Sequence, residues 1–342
     1  MIKKKNILLI TVASNTYGYG HLNRCLSLKS HFQKKFSVKI INFTDKKIKN
    51  FPSFFFCQVD KILNENLFYQ FHIIILDISN KKIFKEKKFV RVLSSLTKEF
   101  KSRIILIDSI GKEMLNNFYK FYFSILICPY FFNKNFIFKK RKNVKYFISE
   151  KFTILPLKYK KIKIKFLDNQ IKNLMISCGG SDQYQNTIKI LKFLEKLKIK
   201  LKINVVIGPF FSKNLVLKVK NLKKISNNEI NIFIKQKSLI KIISKSQIAI
   251  ISSGLTKYET ASVGLPSIVF CENKKQFILN QSYAKKDISL NIGMINNLNK
   301  YKKKIISLIQ SSKQLKKLHI ASKAKIDFNG PSRIVNLLEK NF

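Results

Sequence analysis

The residues best suited to chemistry in this chain sit just past apolar runs. His21 follows Gly18 and Gly20 in YGYGHLNRC, directly after the run ILLITV. An imidazole there can take a proton from water or a hydroxyl, because it titrates near neutrality. Its plainer reading is a hydrogen-bonding cap on the helix that follows, and position alone does not choose between the two. The second segment is SCGGSDQYQN, in which Gly179, Gly180, Ser181 and Asp182 make a turn whose backbone N–H groups suit a phosphate. Ser181 or Asp182 as an ordinary N-cap is the alternative, and capping and phosphate binding are compatible. The third is IISSGLTKYETASVGLPSIVF, with Ser253 and Gly254 in a turn after a strand ending at Ile251. Glu259, one turn into the next helix, can accept from both hydroxyls of a ribose, although glutamates are more often solvated surface residues. Farther on, Asn280 and Gln281 read as the start of a helix, where their amides would bind sugar hydroxyls or simply cap.

These residues need elements to place them. Short continuous runs of Ile, Val, Leu and Phe predict strands near 6–12, 38–43, 72–77, 103–108 and 124–128, then near 173–178, 203–207, 230–234, 247–251 and 267–270. Runs of this form suit parallel strands covered on both faces. Helical stretches alternate with them, which predicts α/β architecture in two copies, each opening with strand, glycine turn and helix. Gly18 and Gly20 are expected to take positive φ where the chain leaves the first strand. Leu22, Cys25 and Leu26 then have helical spacing from about His21. Thr187, Ile190, Leu191, Leu194 and Leu197 form the apolar face of a second helix. The lysine-dense KYKKIKIKFLDNQ marks a seam around 150–170. It divides the chain into residues 1–155 and 156–342, with the last amphipathic helix, opened by Gly330 and Pro331, free to pack back on the first domain. Arg333 in that helix reads as structural. The architecture expected is two Rossmann-like domains facing a central cleft, with ligands outside the carboxyl ends of the strands.

The net charge of +49 invites a nucleic-acid or anionic-membrane reading. The lysines, however, are spread along the whole chain. Arg is scarce, Trp is absent, and Lys, Ile, Asn and Phe are abundant throughout. An AT-rich coding bias produces that pattern, whereas a nucleic-acid footprint needs clustering. No specific nucleic-acid partner is expected, and peripheral contact with an anionic membrane surface stays open. The start MIKKKNILLITVAS imitates a secretion signal, but the glycine loop and helix that follow favour a strand. No apolar run approaches the ~18 residues of a membrane span. The five cysteines are scattered and contain no C-x-x-C pair, so neither structural zinc nor a disulfide framework is expected, and a cytoplasmic setting fits best.

Taken in order, GYGHLNRCLSL, CGGSD, ISSGLTKYETASVGLPSIV and NQ resemble the UDP-sugar hydrolases of pseudaminic acid biosynthesis and their spore-coat polysaccharide relatives. FTILPLKY (152–159) and DFNGPSRI (327–334) extend the likeness to most of the chain. The resemblance implies a GT-B fold and a UDP-sugar substrate, with no metal or cofactor. It implies UDP held by the second domain, with Gly179, Gly180, Ser181 and Asp182 near the diphosphate, Ser253 and Gly254 beside them, and Glu259 on the ribose. It also implies Gly18, Gly20, Arg24, Asp77, Asn280 and Gln281 as further substrate-binding positions. His21 is implied as the general base that activates water against the anomeric carbon, with inversion. The family's paired aspartates after a mid-domain strand are represented here by Asp108 followed by Ser109.

Two rivals accompany the hydrolase. A GT-B glycosyltransferase would use the same donor and a hydroxyl or lipid-linked acceptor, and a surface built from FPSFFFC and FYKFYF would favour it. Phe54, Phe55 and Phe56 are equally well read as core. A noncatalytic nucleotide-binding or nucleic-acid-associated protein ranks third.

Overall fold

The computed structural model describes residues 4–14, 17, 19–45, 51–78, 81–107, 120–131, 140–164, 173–234, 236 and 238–342. It contains two α/β units. One comprises Met1–Leu157 with Phe328–Phe342, and the other comprises Lys158–Asp327.

The first unit holds strands β1 (Asn6–Val12), β2 (Ser37–Thr44), β3 (Phe54–Phe55), β4 (Ile73–Asp77), β5 (Ile104–Ile107), β6 (Ile125–Cys128) and β7 (Lys145–Ile148). All pair in parallel, in the order β3-β2-β1-β4-β5-β6-β7. The alternation of side chains along a strand divides β1 between two cores. Leu8, Ile10 and Val12 join Phe43, Phe56, Phe68, Phe89 and Leu93 on one face. Ile7 and Leu9 join Cys25, Leu28 and Phe32 of helix Gly20–Phe32, and Ile334 and Leu338 of helix Gly330–Asn341, on the other. Burying each such side chain is worth about 1.5–3 kcal/mol, and both faces of the sheet are closed by helices of the same unit.

The second unit holds β8 (Asn173–Ser177), β9 (Lys202–Ile207), β10 (Glu229–Ile234), β11 (Ile248–Ser252), β12 (Ser267–Cys271) and β13 (Leu290–Met294). These are again parallel, in the order β10-β9-β8-β11-β12-β13. The strand order therefore reverses at β1/β4 in one sheet and at β8/β11 in the other. Chains leaving adjacent strands in opposite directions open a crevice at such a point, beyond the strands' carboxyl ends.

All ten strands expected from apolar runs are present. Three others escaped that reading for visible reasons. β3 has only two residues, β7 begins with an exposed lysine, and β13 carries Asn291 and Gly293 beside a register shift at Val269/Phe270. Helix Gly20–Phe32 starts where its spacing indicated, but Leu26 is exposed, and Leu28 and Phe32 complete the buried face instead. Among the described residues no helix is long and apolar enough to cross a membrane.

Candidate active site

β1 and β4 end side by side, with Thr11 opposite Asp77 in the register and the Thr11 hydroxyl donating to the Asp77 carbonyl at 3.1 Å. This places the Asp77 side chain at the reversal point, against the first turn of helix Gly20–Phe32. His21 Nδ1 lies 2.6 Å from Asp77 Oδ1. Arg24, one turn later, grips the same carboxylate with two donors, Nε to Oδ2 at 2.8 Å and Nη2 to Oδ1 at 2.5 Å. Its remaining arm, Nη1, donates to the hydroxyl of Tyr130, just past β6. The i, i+3 spacing of His21 and Arg24 on a helix is what brings both onto one carboxylate.

Arg24 Nη2 also lies 2.7 Å from His21 Nδ1. A guanidinium can only donate and a carboxylate can only accept. If Nδ1 lacked its proton, two acceptors would face each other at the shorter, 2.6 Å contact with Asp77. The consistent assignment has Nδ1–H and Nη2–H both donating to Oδ1, which makes Nε2 the nitrogen that accepts a proton whenever the ring is neutral. Burial alone would raise the Asp77 carboxyl, but the Arg24 and His21 charges beside it hold it below the ordinary carboxylate value.

Asp77 has no exposed surface and Arg24 is buried, and Arg24 directs three of its N–H groups at Asp77 and Tyr130. Both side chains thus face His21 and each other. Gly20 is the first residue of the helix and is not among the positive-φ glycines. Gly18, Asp108 and Ser109 lie outside the described residues.

In the second unit the two glycine turns meet at the other reversal point. Gly179 takes φ +77°, open to glycine at no cost, and a Cβ there would stand 3.6 Å from Ser252 Oγ. A Cβ on Gly254 would stand 4.0 Å from the same oxygen, so Ser252 lies between the turns. A third turn closes on them. A Cβ on Gly208 would lie 2.3 Å from the Gly180 carbonyl oxygen, and the Phe210 N–H donates to that oxygen at 2.9 Å. Ser252 and Gly208 were not singled out from sequence; the SSG and IGPFF turns at strand ends were the available signals. Gly180 and Gly254 are exposed and Ser181 is half-buried.

Asp182 requires a correction. Its buried carboxylate accepts from the N–H groups of Asn186 (2.7 Å) and Thr187 (2.8 Å) at the head of helix Asn186–Glu195. Those amides are therefore unavailable to a phosphate, and Asp182 is a cap. Helix Thr256–Val263, after the SSG turn, has no side-chain cap. Its first N–H groups follow the exposed Gly254, an end at which the helix dipole favours negative charge. The Ser253 N–H continues the sheet onto Phe270, and its hydroxyl donates to Gln276 Oε1 at 3.1 Å.

Glu259 is half-buried, with the Tyr159 hydroxyl donating to its Oε1 at 3.1 Å. Burial raises its carboxyl above the ordinary value. It is not a freely solvated glutamate, and Tyr159 is a partner that the sequence did not reveal. Asn280 is corrected in place. It sits well inside helix Lys274–Ala284, which Asn273 caps, and it is buried. Its carbonyl accepts from Lys257 Nζ at 2.8 Å and its amide donates to Asn291 at 3.0 Å. Gln281 follows on the same helix, half-buried. Of the aromatic segments, Phe56, Phe121 and Phe123 are core, and Phe55 and Tyr122 are exposed.

No protein-family model matches the chain. The uncharacterized protein MJ1062 of Methanocaldococcus jannaschii is 26% identical over 297 residues, covering 82% of this chain and 58% of the relative. The chain thus spans little more than half that relative's length. Among solved structures, MurG of Acinetobacter baumannii aligns with TM-score 0.63 at 10% identity, over 98% of this chain and 99% of its own. A Listeria monocytogenes protein assigned as a UDP-N-acetylglucosamine 2-epimerase aligns with TM-score 0.67 at 12% identity, over 99% and 97%. HepE of Anabaena, solved with UDP and glucose, aligns with TM-score 0.64 at 10% identity, over 97% and 99%. With two parallel-sheet units of seven and six strands, this chain has the GT-B fold.

Proposed function

We propose that the chain is a UDP-sugar hydrolase acting on an amino- or deoxy-sugar nucleotide of the nonulosonic-acid type in surface-glycan synthesis. The observation that carries the reading is the His21–Asp77 pair at the carboxyl edge of β4, held at 2.6 Å with Nε2 as the proton-accepting nitrogen. In the proposed reaction a water oxygen attacks the anomeric carbon as His21 Nε2 takes its proton. The carbon–oxygen bond to the diphosphate breaks, UDP leaves with the electron pair, and the configuration inverts. General-base assistance of this kind is worth about 10²–10⁴-fold. The Gly179–Gly180 turn and the uncapped start of helix Thr256–Val263 would take the diphosphate, stabilising charge that develops on the leaving group. Glu259 would accept from the ribose. Structural neighbours that carry UDP or sugar-nucleotide names support the substrate class.

A glycosyltransferase would use the same groups with a hydroxyl in place of water. Its distinguishing prediction, an aromatic docking surface for a membrane acceptor, is weakened because Phe56, Phe121 and Phe123 are core residues. The test is UDP release from a panel of UDP- and CMP-linked sugars without acceptor. Turnover abolished by His21→Ala supports hydrolysis. Turnover that requires a carbohydrate or lipid-linked acceptor replaces the reading with transfer.

A further inference from the structure

We infer that Tyr130 is a positioning residue for the His21 base, acting through Arg24 and Asp77. The inference rests on the reading of His21 as a base, and it adds a residue on a different strand that fixes the base's direction. A carboxylate and a guanidinium joined by two parallel hydrogen bonds form a planar unit. That unit can still pivot, because both bonds lie on one edge of the guanidinium. The third contact removes the pivot. Arg24 Nη1 donates to the Tyr130 hydroxyl, and the Tyr130 ring centroid lies 5.8 Å from the guanidinium carbon. Tyr130 follows Pro129, whose ring restricts the backbone between it and the end of β6. The end of β6 therefore sets the plane of Arg24. Arg24 sets the plane of Asp77, and Asp77 sets where His21 Nε2 points.

The same chain governs charge. Among the described residues, the titratable and charged groups around the His21–Asp77 pair are Arg24 and Cys25 on the same helix and Tyr130 beyond β6. Arg24 is the cation that offsets Asp77. With the phenol removed, Nη1 loses its acceptor in a buried place and the guanidinium shifts to recover one, which loosens its hold on Asp77. The carboxylate then faces His21 with less of its charge offset, and the imidazolium is favoured.

Titration of uniformly ¹⁵N-labelled wild-type and Tyr130→Phe protein by NMR, read at the His21 ring nitrogens, tests this directly. The expected result is an upward move of the His21 midpoint by about half a unit or more. The acid limb of the turnover profile should move the same way. In kinetics, kcat should fall about threefold to tenfold, with KM for the UDP-sugar held within twofold. A folded Tyr130→Phe protein with an unchanged midpoint and profile overturns the inference. Should that variant fail to fold, Arg24→Lys keeps a cation by Asp77 but lacks the fork that reaches Tyr130. It must then give the same upward move, and no move overturns the inference equally. The two readings fail separately. A His21→Ala protein that still releases UDP removes His21 as the base but leaves the effect of Tyr130 on the imidazole titration standing. An inactive His21→Ala with an unmoved Tyr130→Phe titration removes only the role of Tyr130.

Discussion

His21 Nδ1 stands 2.6 Å from a carboxylate oxygen of Asp77 that has no exposed surface, and Arg24 closes the other side of that carboxylate. Asp77→Asn keeps the shape but removes the charge. It should lower kcat for UDP release by about 10²–10⁴-fold, because the amide no longer selects the tautomer with Nε2 unprotonated. It also leaves the Arg24 guanidinium buried without its counter-charge, a loss of about 3–5 kcal/mol that urea denaturation would measure. The folded Asp77 carboxyl lies below its unfolded value. Its contribution is therefore complete above the ordinary carboxylate range and is lost as pH falls through the folded value. In Asp77→Asn that acid-side loss should be missing.

Gly208→Ala offers a test confined to the second unit. The added Cβ would meet the backbone oxygens of Gly180 and Gly179 at 2.3 and 2.4 Å, so the Gly179–Gly180 turn has to move. UDP affinity by calorimetry should fall at least tenfold, while the His21 ring titration stays as in wild type. Unchanged UDP affinity would remove the Gly179–Gly180 turn from the nucleotide site.

For Glu259, the ligand rather than the protein can be cut. If its carboxylate accepts from the ribose, wild type should discriminate between UDP and its 2′-deoxy counterpart. In Glu259→Gln that discrimination should shrink by about tenfold, as expected when a partly buried acceptor loses its charge. Equal ratios in the two proteins would assign Glu259 to packing against Tyr159.

Lys257 is buried, with one hydrogen bond to Asn280 and the Tyr283 ring centroid 4.7 Å from its ammonium. Burial brings its pKa down to about 7. Between that value and its unfolded value near 10.5 the unfolded chain binds the extra proton, so this group makes the fold more stable as pH rises through that window. Lys257→Met should flatten the increase in stability measured by urea denaturation from pH 7 to pH 9, relative to wild type. An identical slope in the variant would contradict the assignment.

The strands were legible wherever an uninterrupted apolar run could belong to a sheet covered on both sides, as with Ile73–Leu76 or Ile248–Ile251. Those two strands lie next to the reversal points, so the neighbourhood of the site was legible with them. Side-chain direction was not. Asp77, Arg24 and Asn280 carry the right chemical groups at the right strand ends and helices, yet each turns inward onto a partner 53, 53 and 23 residues away in sequence. Asp182 could be read from its position after the two glycines, and its carboxylate reaches the helix amides from a backbone with φ +41°. Tyr130, Tyr159 and Gly208 meet partners distant in sequence, and no local pattern marks them.

The helix that covers Ile7 and Leu9 comes from Gly330–Asn341, while every residue of the other unit lies before Phe328. During synthesis the later-made unit therefore has its whole sequence available first. The unit that holds β1 must wait, with the part of its sheet face under Ile334 and Leu338 uncovered, until residues 330–341 emerge. Nascent chains stalled short of residue 328 should consequently recruit holdase chaperones through the β1 sheet rather than through the second unit.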